Sequence, residues 1–92
     1  SKPSLMFEIG CVGGTFDHLH HGHKILLTIA AISCQLLEFG VTSAEMLGKK
    51  MYAEFMEPVE TRVTNSINFL QLMNPELKIN LNLLVEHFGP IL

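Results

Sequence analysis

GGTFDHLHHGHK, at residues 13–24, is the stretch around which the whole sequence is organised. The run before it, LMFEIGCV at residues 5–12, is apolar and short, as in a buried strand of a parallel sheet. The run after it, residues 23–37, is apolar on nearly every helical face, which predicts a largely buried helix. A strand, a glycine pair, polar side chains and a helix N-terminus in this order predict an anion-binding site.

Four further elements are predicted downstream. Residues 36–41 (LLEFGV) predict a second strand, and Thr42 or Ser43 is placed to cap a short helix after it. Residues 59–73 carry apolar side chains at helical spacing and predict an amphipathic helix. Residues 78–85 alternate apolar and polar side chains, as a half-exposed edge strand does. Strands alternating with helices predict an α/β domain with a parallel sheet.

The composition fits one small globular domain covering residues 1–92. Hydrophobic residues make up 48% of the chain and charged residues 16%, so a core can be buried. The net charge of −3 argues against general nucleic-acid or membrane-surface binding. We expect no transmembrane segment and no secretory signal. Cys11 and Cys34 are predicted to be reduced core residues, which suits a cytoplasmic protein.

The chemistry of residues 13–24 points to phosphate. The glycines at 13–14 lack a Cβ, so a phosphate can approach the backbone and the turn can take a positive φ. Thr15 offers a hydroxyl and an N–H group, and Gly22 removes bulk where a ligand would pass. His20 and His23 lie three residues apart at a helix start, hence on one side. Two imidazoles and a helix N-terminus can stabilise charge during phosphoryl or nucleotidyl transfer without a covalent nucleophile.

Two other interpretations of the histidine cluster are less favoured. Imidazole is the commonest metal ligand, but the thiolates and supporting groups of a metal site are absent, and Gly22 would serve no purpose there. The cluster could also be a structural turn. We therefore predict no metal ligands among these histidines.

The stretch GGTFDHLHHGHKILL resembles the signature of the HxGH nucleotidyltransferase superfamily, with HxGH at residues 20–23. Within it, the chain is similar to the phosphopantetheine adenylyltransferases of archaeal and eukaryotic type, including the corresponding domain of coenzyme A synthase. The likeness continues in GVTSAEMLGKK at residues 40–50, EPVETRV at residues 57–63 and FGP at residues 88–90. It therefore spans nearly the whole chain and implies a Rossmann-like parallel sheet with flanking helices.

The resemblance also implies a reaction. The phosphate of 4′-phosphopantetheine attacks the α-phosphorus of ATP with Mg²⁺ assisting, giving dephospho-coenzyme A and pyrophosphate in coenzyme A biosynthesis. His20 and His23 would stabilise the transition state, and Lys49 or Lys50 would contact phosphate unless this lysine pair is a solvated helix end. The residues implied to bind the nucleotide or its phosphates are Gly13, Gly14, Thr15, Phe16, Gly22 and Arg62. Arg62 could instead sit on the solvated face of its helix.

Three neighbours of these residues are given lesser roles. Asp17 is expected to fix the turn through hydrogen bonds from its side chain to the backbone. His18 is expected at the surface, and His21, the x of HxGH, is expected to point away from the site.

The chain also departs from the family pattern, because the family's domain continues after FGP with two more strands and a second ATP-binding motif. We therefore expect an N-terminal half of the domain, with strand order third, second, first. The edge of the first strand would be exposed, and a C-terminal half or a homo-oligomer partner would be needed to cover it. The alternatives to phosphopantetheine adenylyl transfer are the activity of a related cytidylyltransferase or adenylyltransferase, or the role of a truncated, non-catalytic phosphate-binding module.

Overall fold

The computed structural model describes residues 7–42 and 56–84 of the 92-residue chain. Within them the chain alternates between strand and helix, as predicted. The elements are β1 (Phe7–Gly14), α1 (His21–Ser33), β2 (Cys34–Thr42), α2 (Val59–Met73) and β3 (Lys78–Leu84).

The three strands form a parallel sheet in the order β1-β2-β3, which confirms the α/β class and the predicted strand order. β2 is central, and among the described residues β1 pairs on one side only. Gly14 at the end of β1 lies in register with Val41, one residue before the end of β2. The carboxyl ends of these two strands therefore lie side by side, where ligands bind in parallel α/β sheets.

The core lies between β2 and the two helices, which also pack on each other. Leu37, Phe39 and Val41 alternate along β2 and are fully buried, and Leu27 of α1 and Leu70 of α2 pack in the same cluster. This strand carries large apolar residues at every second position, so its covered face alone supplies much of the core. The core thereby fixes the start of α1 relative to the end of β2.

The boundary between α1 and β2 differs from the prediction. The helix ends at Ser33 instead of residue 37, and β2 begins at Cys34. An apolar run does not itself distinguish a buried helix from a buried strand, and here pairing of Cys34 with Phe7 and of Leu36 with Ile9 decides for the strand. The prediction for residues 59–73 as a helix is confirmed at both ends.

α1 is less buried than its sequence predicts. Leu27 and Ala31 are buried, whereas Ile25 is 63% exposed and Ile29 55% exposed. Cys11 of β1 is exposed as well, so the core prediction holds for Cys34 and is wrong for Cys11. All these exposed residues lie on β1 or on the outer face of α1, where no described element covers them.

Asn74 joins the carboxyl ends of the two helices. Its side-chain amide donates to the carbonyl of Ala31 at 2.8 Å, and its backbone N–H donates to the carbonyl of Leu70. Ala31 lies in the last turn of α1, whose carbonyls have no partner within the helix. Asn74 therefore caps α1 from outside while ending α2.

Some predictions fall outside the described residues: the start of the first strand, the short helix after β2, Val85 and the FGP turn. Across the part of the chain that the structure describes, no helix has the length and hydropathy needed to cross a membrane.

Candidate functional site

Residues 15–20 form the loop that joins β1 to α1, and its backbone differs from the prediction. Gly13 and Gly14 are the last residues of β1, and the positive φ values belong to Phe16 (50°) and His18 (48°). A non-glycine residue in this left-handed region costs on the order of 1 kcal/mol. Burial of the Phe16 ring, 5.0 Å from the ring centroid of Phe39, holds the first of these residues in place. Phe16 is thus a core anchor of the loop.

His20 and His23 come together as the sequence predicts, and they also cap α1. His20 is the N-cap residue, and its Nδ1 accepts a hydrogen bond from the N–H of Gly22 at 3.1 Å. The Nδ1 atom of His23 accepts in return from the N–H of His20 at 3.4 Å. The two rings stack with centroids 3.9 Å apart. This reciprocal arrangement satisfies N–H groups that a helix start leaves without partners.

The capping contacts define the protonation of the histidine pair, His20 and His23. Because Nδ1 of each ring accepts a hydrogen bond, the neutral rings carry their proton on Nε2. Burial lowers the pKa of His23 below 6.5 and the neighbouring His20 lowers it further, against a smaller opposing effect of Asp17. His23 is therefore neutral at pH 7 and presents an Nε2–H donor at a helix N-terminus, where the helix dipole favours anions.

Gly22 makes room for the His20 ring. A Cβ built on Gly22 would lie 3.0 Å from Cε1 and 3.2 Å from Nδ1 of His20. Any other residue would therefore press on the imidazole that caps the helix. The sequence predicted that position 22 needs a small residue so that a ligand can pass. The structure gives a reason that does not involve a ligand, namely the space that the His20 ring occupies.

Asp17 fixes the loop by a hydrogen bond to the backbone, as predicted, but its partner is distant in sequence. Its Oδ1 accepts from the N–H of Glu57 at 2.8 Å, and its Oδ2 lies 2.9 Å from Nδ1 of His18. Glu57 returns a contact, since its Oε1 accepts from the N–H of His18 at 2.8 Å. Burial raises the pKa of Asp17, but the Glu57 hydrogen bond, His18 and Arg62 together bring it below 3.8.

Arg62 lies in the interior, and the interpretation of a solvated helix face is wrong. Its side chain is 1% exposed. Nε donates to the carbonyl of Glu57 at 2.9 Å, and Nη1 donates to the carbonyls of Thr15 and Thr42 at 2.7 Å each. These carbonyls compensate the buried cation. The predicted phosphate contact of Arg62 stays a prediction, and the burial of this side chain and the carbonyl partners of Nε and Nη1 do not favour it.

The remaining predicted site residues divide into two groups. Thr15 lies directly after β1, beside the start of α1, and its carbonyl is held by Arg62. Lys49 and Lys50 lie outside the described residues, so their roles stay predictions. His21 lines a surface cleft with Ile25 and Ile29 on the outer face of α1, away from the stacked rings, and His18 is exposed, both as expected.

One group of side chains in the described residues has metal-ligand types within reach of each other. The ligand atoms of Asp17, His18 and Glu57 lie within 4.8 Å. However, Oδ1 of Asp17 and Oε1 of Glu57 accept backbone N–H groups, and Oδ2 of Asp17 pairs with His18. A cation would compete with the bonds that shape the loop, so we assign this group to loop structure.

Glu57 is the residue at this site that the sequence did not reveal. It lies 39 residues from His18 and 40 from Asp17. Local patterns extend over a few residues and contain no signal for such a contact. Its place in EPVETRV, next to the start of α2, is the only hint in the sequence.

Known proteins match the amino-acid sequence of this chain over most of its length. A family model described as cytidylyltransferase-like matches residues 11–83. The chain belongs to the cytidylyltransferase-like family. It is 41% identical over 90 residues to phosphopantetheine adenylyltransferase of Saccharomyces cerevisiae, covering 97% of this chain and 30% of that protein. No solved structure matches the chain significantly.

Archaeal relatives show the same likeness. Phosphopantetheine adenylyltransferase of Pyrococcus horikoshii is 48% identical over 68 residues, 74% of this chain and 43% of that protein. The enzyme of the same name from Pyrobaculum aerophilum is 32% identical over 80 residues, 86% of this chain and 50% of that protein. The resemblance to archaeal and eukaryotic phosphopantetheine adenylyltransferases is thereby confirmed. The chain spans between about a third and half of the length of these relatives.

Proposed function

We propose that this chain supplies one side of a phosphopantetheine adenylyltransferase site, namely the side formed by His20 and His23. The observation that carries the proposal is the stacked histidine pair at the N-terminus of α1, beside the carboxyl ends of β1 and β2. The family match over residues 11–83 includes these histidines, and curated relatives of the chain are named phosphopantetheine adenylyltransferase. Because the chain spans only part of the length of those relatives, we propose catalysis for the domain to which this chain contributes.

In the proposed reaction, a phosphate oxygen of 4′-phosphopantetheine attacks the α-phosphorus of ATP. A new P–O bond forms, the bond to the bridging oxygen of pyrophosphate breaks, and pyrophosphate leaves with the electron pair. The Nε2–H groups of His20 and His23 donate to phosphate oxygens as their negative charge grows. Each such donor in a preorganised site typically contributes a factor of about 100 to 1,000 to the rate.

Magnesium enters this proposal as the complex with ATP. Mg²⁺ prefers oxygen ligands and is commonly bound through substrate phosphates with one or two carboxylates. The histidine pair offers nitrogen, and the nearest described carboxylates, Asp17 and Glu57, are engaged with backbone N–H groups. We therefore propose that the ATP phosphates hold the ion in this part of the site, where it would neutralise charge on the leaving pyrophosphate.

The test is pyrophosphate release by the purified domain to which this chain contributes, with ATP or CTP, each with and without 4′-phosphopantetheine. Release that needs ATP and 4′-phosphopantetheine together is the expected result. Absence of release with every combination would contradict the proposal, and binding without release would leave a phosphate-binding module.

A variant that keeps the helix cap sharpens this test. Asparagine is a strong N-cap residue, so His20→Asn retains the cap while removing the Nε2–H donor. We expect kcat to fall about 100- to 1,000-fold. The neighbouring His21→Ala is the matched control and should retain turnover, because His21 lies on the outer face of α1. Equal activity of His20→Asn and the wild type would contradict the proposed role of His20.

Cytidylyl transfer is the second candidate, because the matching family is described as cytidylyltransferase-like. The described residues offer groups suited to phosphate, and among them we identify no group that would bind the nucleotide base. The CTP arm of the same assay decides between the two: release dependent on CTP would replace the adenylyl assignment.

A further inference from the structure

Arg62 is a buried charge whose partners come from three separate parts of the chain. Its guanidinium binds the carbonyl of Thr15 in the loop, the carbonyl of Thr42 at the end of β2, and the carbonyl of Glu57 just before α2. Thr42 and Glu57 flank the connection that carries Lys49 and Lys50. One side chain thus ties together the segments around the carboxyl end of the sheet.

Glu57 fixes the same loop at a second place. Its N–H donates to Asp17, and its carboxylate accepts from the N–H of His18. Arg62 therefore holds the loop at Thr15, and Glu57 holds it at Asp17 and His18. Phe16, the first residue with a positive φ, lies between these attachments, and His18, the second, is itself one of them. External contacts of this kind are what hold a loop in such a conformation.

We propose that Arg62 is a positioning residue: it holds residues 15–20 by carbonyl contacts so that Thr15 and the histidine pair face one phosphate, and it does not itself touch the substrate. Glu57 assists it. The loop ends at His20, the N-cap of α1, so a displacement at Thr15 is passed directly to the first imidazole. This inference rests on the proposed function for its catalytic consequence, whereas the structural part concerns the ligand-free protein.

The decisive variant is Arg62→Lys. It keeps the positive charge, but a single ammonium group does not reproduce the planar fork that spans three carbonyls. We expect kcat for pyrophosphate release to fall about 100-fold, the effect of a displacement near 1 Å, with a smaller change in KM for ATP. We also expect backbone amides of residues 18–23 to exchange with solvent at least about tenfold faster in the ligand-free protein.

Amide exchange separates positioning from substrate contact. A residue that only contacts phosphate leaves the ligand-free loop unchanged, so a loss of kcat without faster exchange at residues 18–23 overturns the inference. Faster exchange with unchanged kcat also overturns it. Amides of Leu37 and Phe39 in β2 serve as internal controls for global destabilisation. Lys78→Arg, the reverse exchange at an exposed position at the opposite end of the sheet, is the matched control.

Glu57→Ala keeps the proposal testable if Arg62→Lys does not fold. It removes the carboxylate contact to His18 and leaves the backbone contacts of Glu57 in place. Unchanged exchange at the His18 amide in this variant would refute the second attachment. If the wild type releases no pyrophosphate, the proposed function fails, while the exchange measurements still decide whether the loop is held in this way.

Discussion

At the scale of single residues, the side chains proposed to carry the chemistry also shape the fold. His20 and His23 cap α1 through Nδ1, and Gly22 leaves the space that the first ring needs. A change at any of the three alters both the helix start and the donors that it presents. Catalytic and structural effects are separable here only with chosen variants.

Gly22→Ala is such a variant. The new Cβ would lie 3.0 Å from Cε1 of His20, so the ring must shift by a few tenths of an ångström. Alanine is favoured over glycine in a helix by up to about 1 kcal/mol, so we expect the free energy of unfolding to be retained or raised. Turnover should fall about tenfold, since small displacements of reacting groups are costly. Urea denaturation and pyrophosphate release measure the two effects, and a loss of both together would contradict this separation.

The lowered pKa of His23 predicts a dependence of stability on pH. In the unfolded chain His23 takes up a proton near its ordinary pKa of 6.5, and in the folded protein only at lower pH. Below about pH 6.5 the unfolded state thus binds more protons, so the free energy of unfolding decreases as the pH falls towards the folded pKa.

His23→Gln should flatten this part of the pH profile, because glutamine at this position of a capping box keeps an acceptor without titrating. Denaturation curves between pH 5 and pH 8 measure the slope. His21→Gln, at an exposed neighbouring position, is the control and should keep the slope of the wild type. A steeper profile for His23→Gln would contradict the assignment.

The identity of the site residues was predictable from sequence where they are neighbours along the chain. The spacing of His20 and His23 at a helix start predicts that their side chains lie close together, because helix geometry places residues three apart on one side. The positions of Arg62 and Glu57 depend on contacts over 39 to 47 residues and on a buried cation, which no local pattern contains. The positive φ at Phe16 and His18, where glycine was expected to provide it, arises from the same long-range contacts.

At the scale of elements, the helix of residues 59–73 was predicted at both ends because proline and asparagine mark them. The end of α1 was missed because the run through Ser33 and Cys34 is apolar and suits either a helix or a strand. Tertiary pairing with β1 decided it. Exposed faces of α1 and β1 could not be predicted either, since the sequence pattern reports hydrophobicity and not what covers it.

Asn74 offers a prediction at this scale. Asn74→Asp keeps the Oδ1 acceptor for the N–H of Glu76 but loses the amide donor to the carbonyl of Ala31. It also places a negative charge near the carbonyl end of α1, which the helix dipole disfavours. We expect a loss of about 1–3 kcal/mol in the free energy of unfolding with kcat unchanged. Urea denaturation measures it, and Gln71→Glu, an exposed change on α2, is the control.

At the scale of the whole molecule, exposed apolar side chains extend from β1 onto α1, where Phe7 and Ile29 line one cleft. Phe7 and Ile9 of β1 and Ile25, Ile29 and Ile32 of α1 are exposed in the described residues. Parallel sheets are commonly covered on both faces, and contiguous apolar surface of this kind favours association.

We therefore expect the isolated 92-residue chain to self-associate as its concentration rises, and Ile29→Lys to reduce the association. Light scattering after size-exclusion chromatography measures the mass. Leu72→Lys is the matched control, because Leu72 is an equally apolar residue that is 72% exposed but belongs to α2. A monomer at all concentrations, or equal effects of both lysine variants, would show that this surface does not drive association.

Nδ1 of His20 and Nδ1 of His23 both accept hydrogen bonds from the backbone at the helix start. These bonds limit the roles that the two rings could have in the proposed reaction. A ring whose Nδ1 accepts a backbone hydrogen bond has no unoccupied basic nitrogen, because Nε2 already carries the proton. Neither ring is therefore equipped to remove a proton from an incoming alcohol. A phosphate monoester, with a second pKa near 6, arrives already ionised at neutral pH and needs no base. In the proposed reaction, this helix start therefore suits a nucleophile that brings its own negative charge.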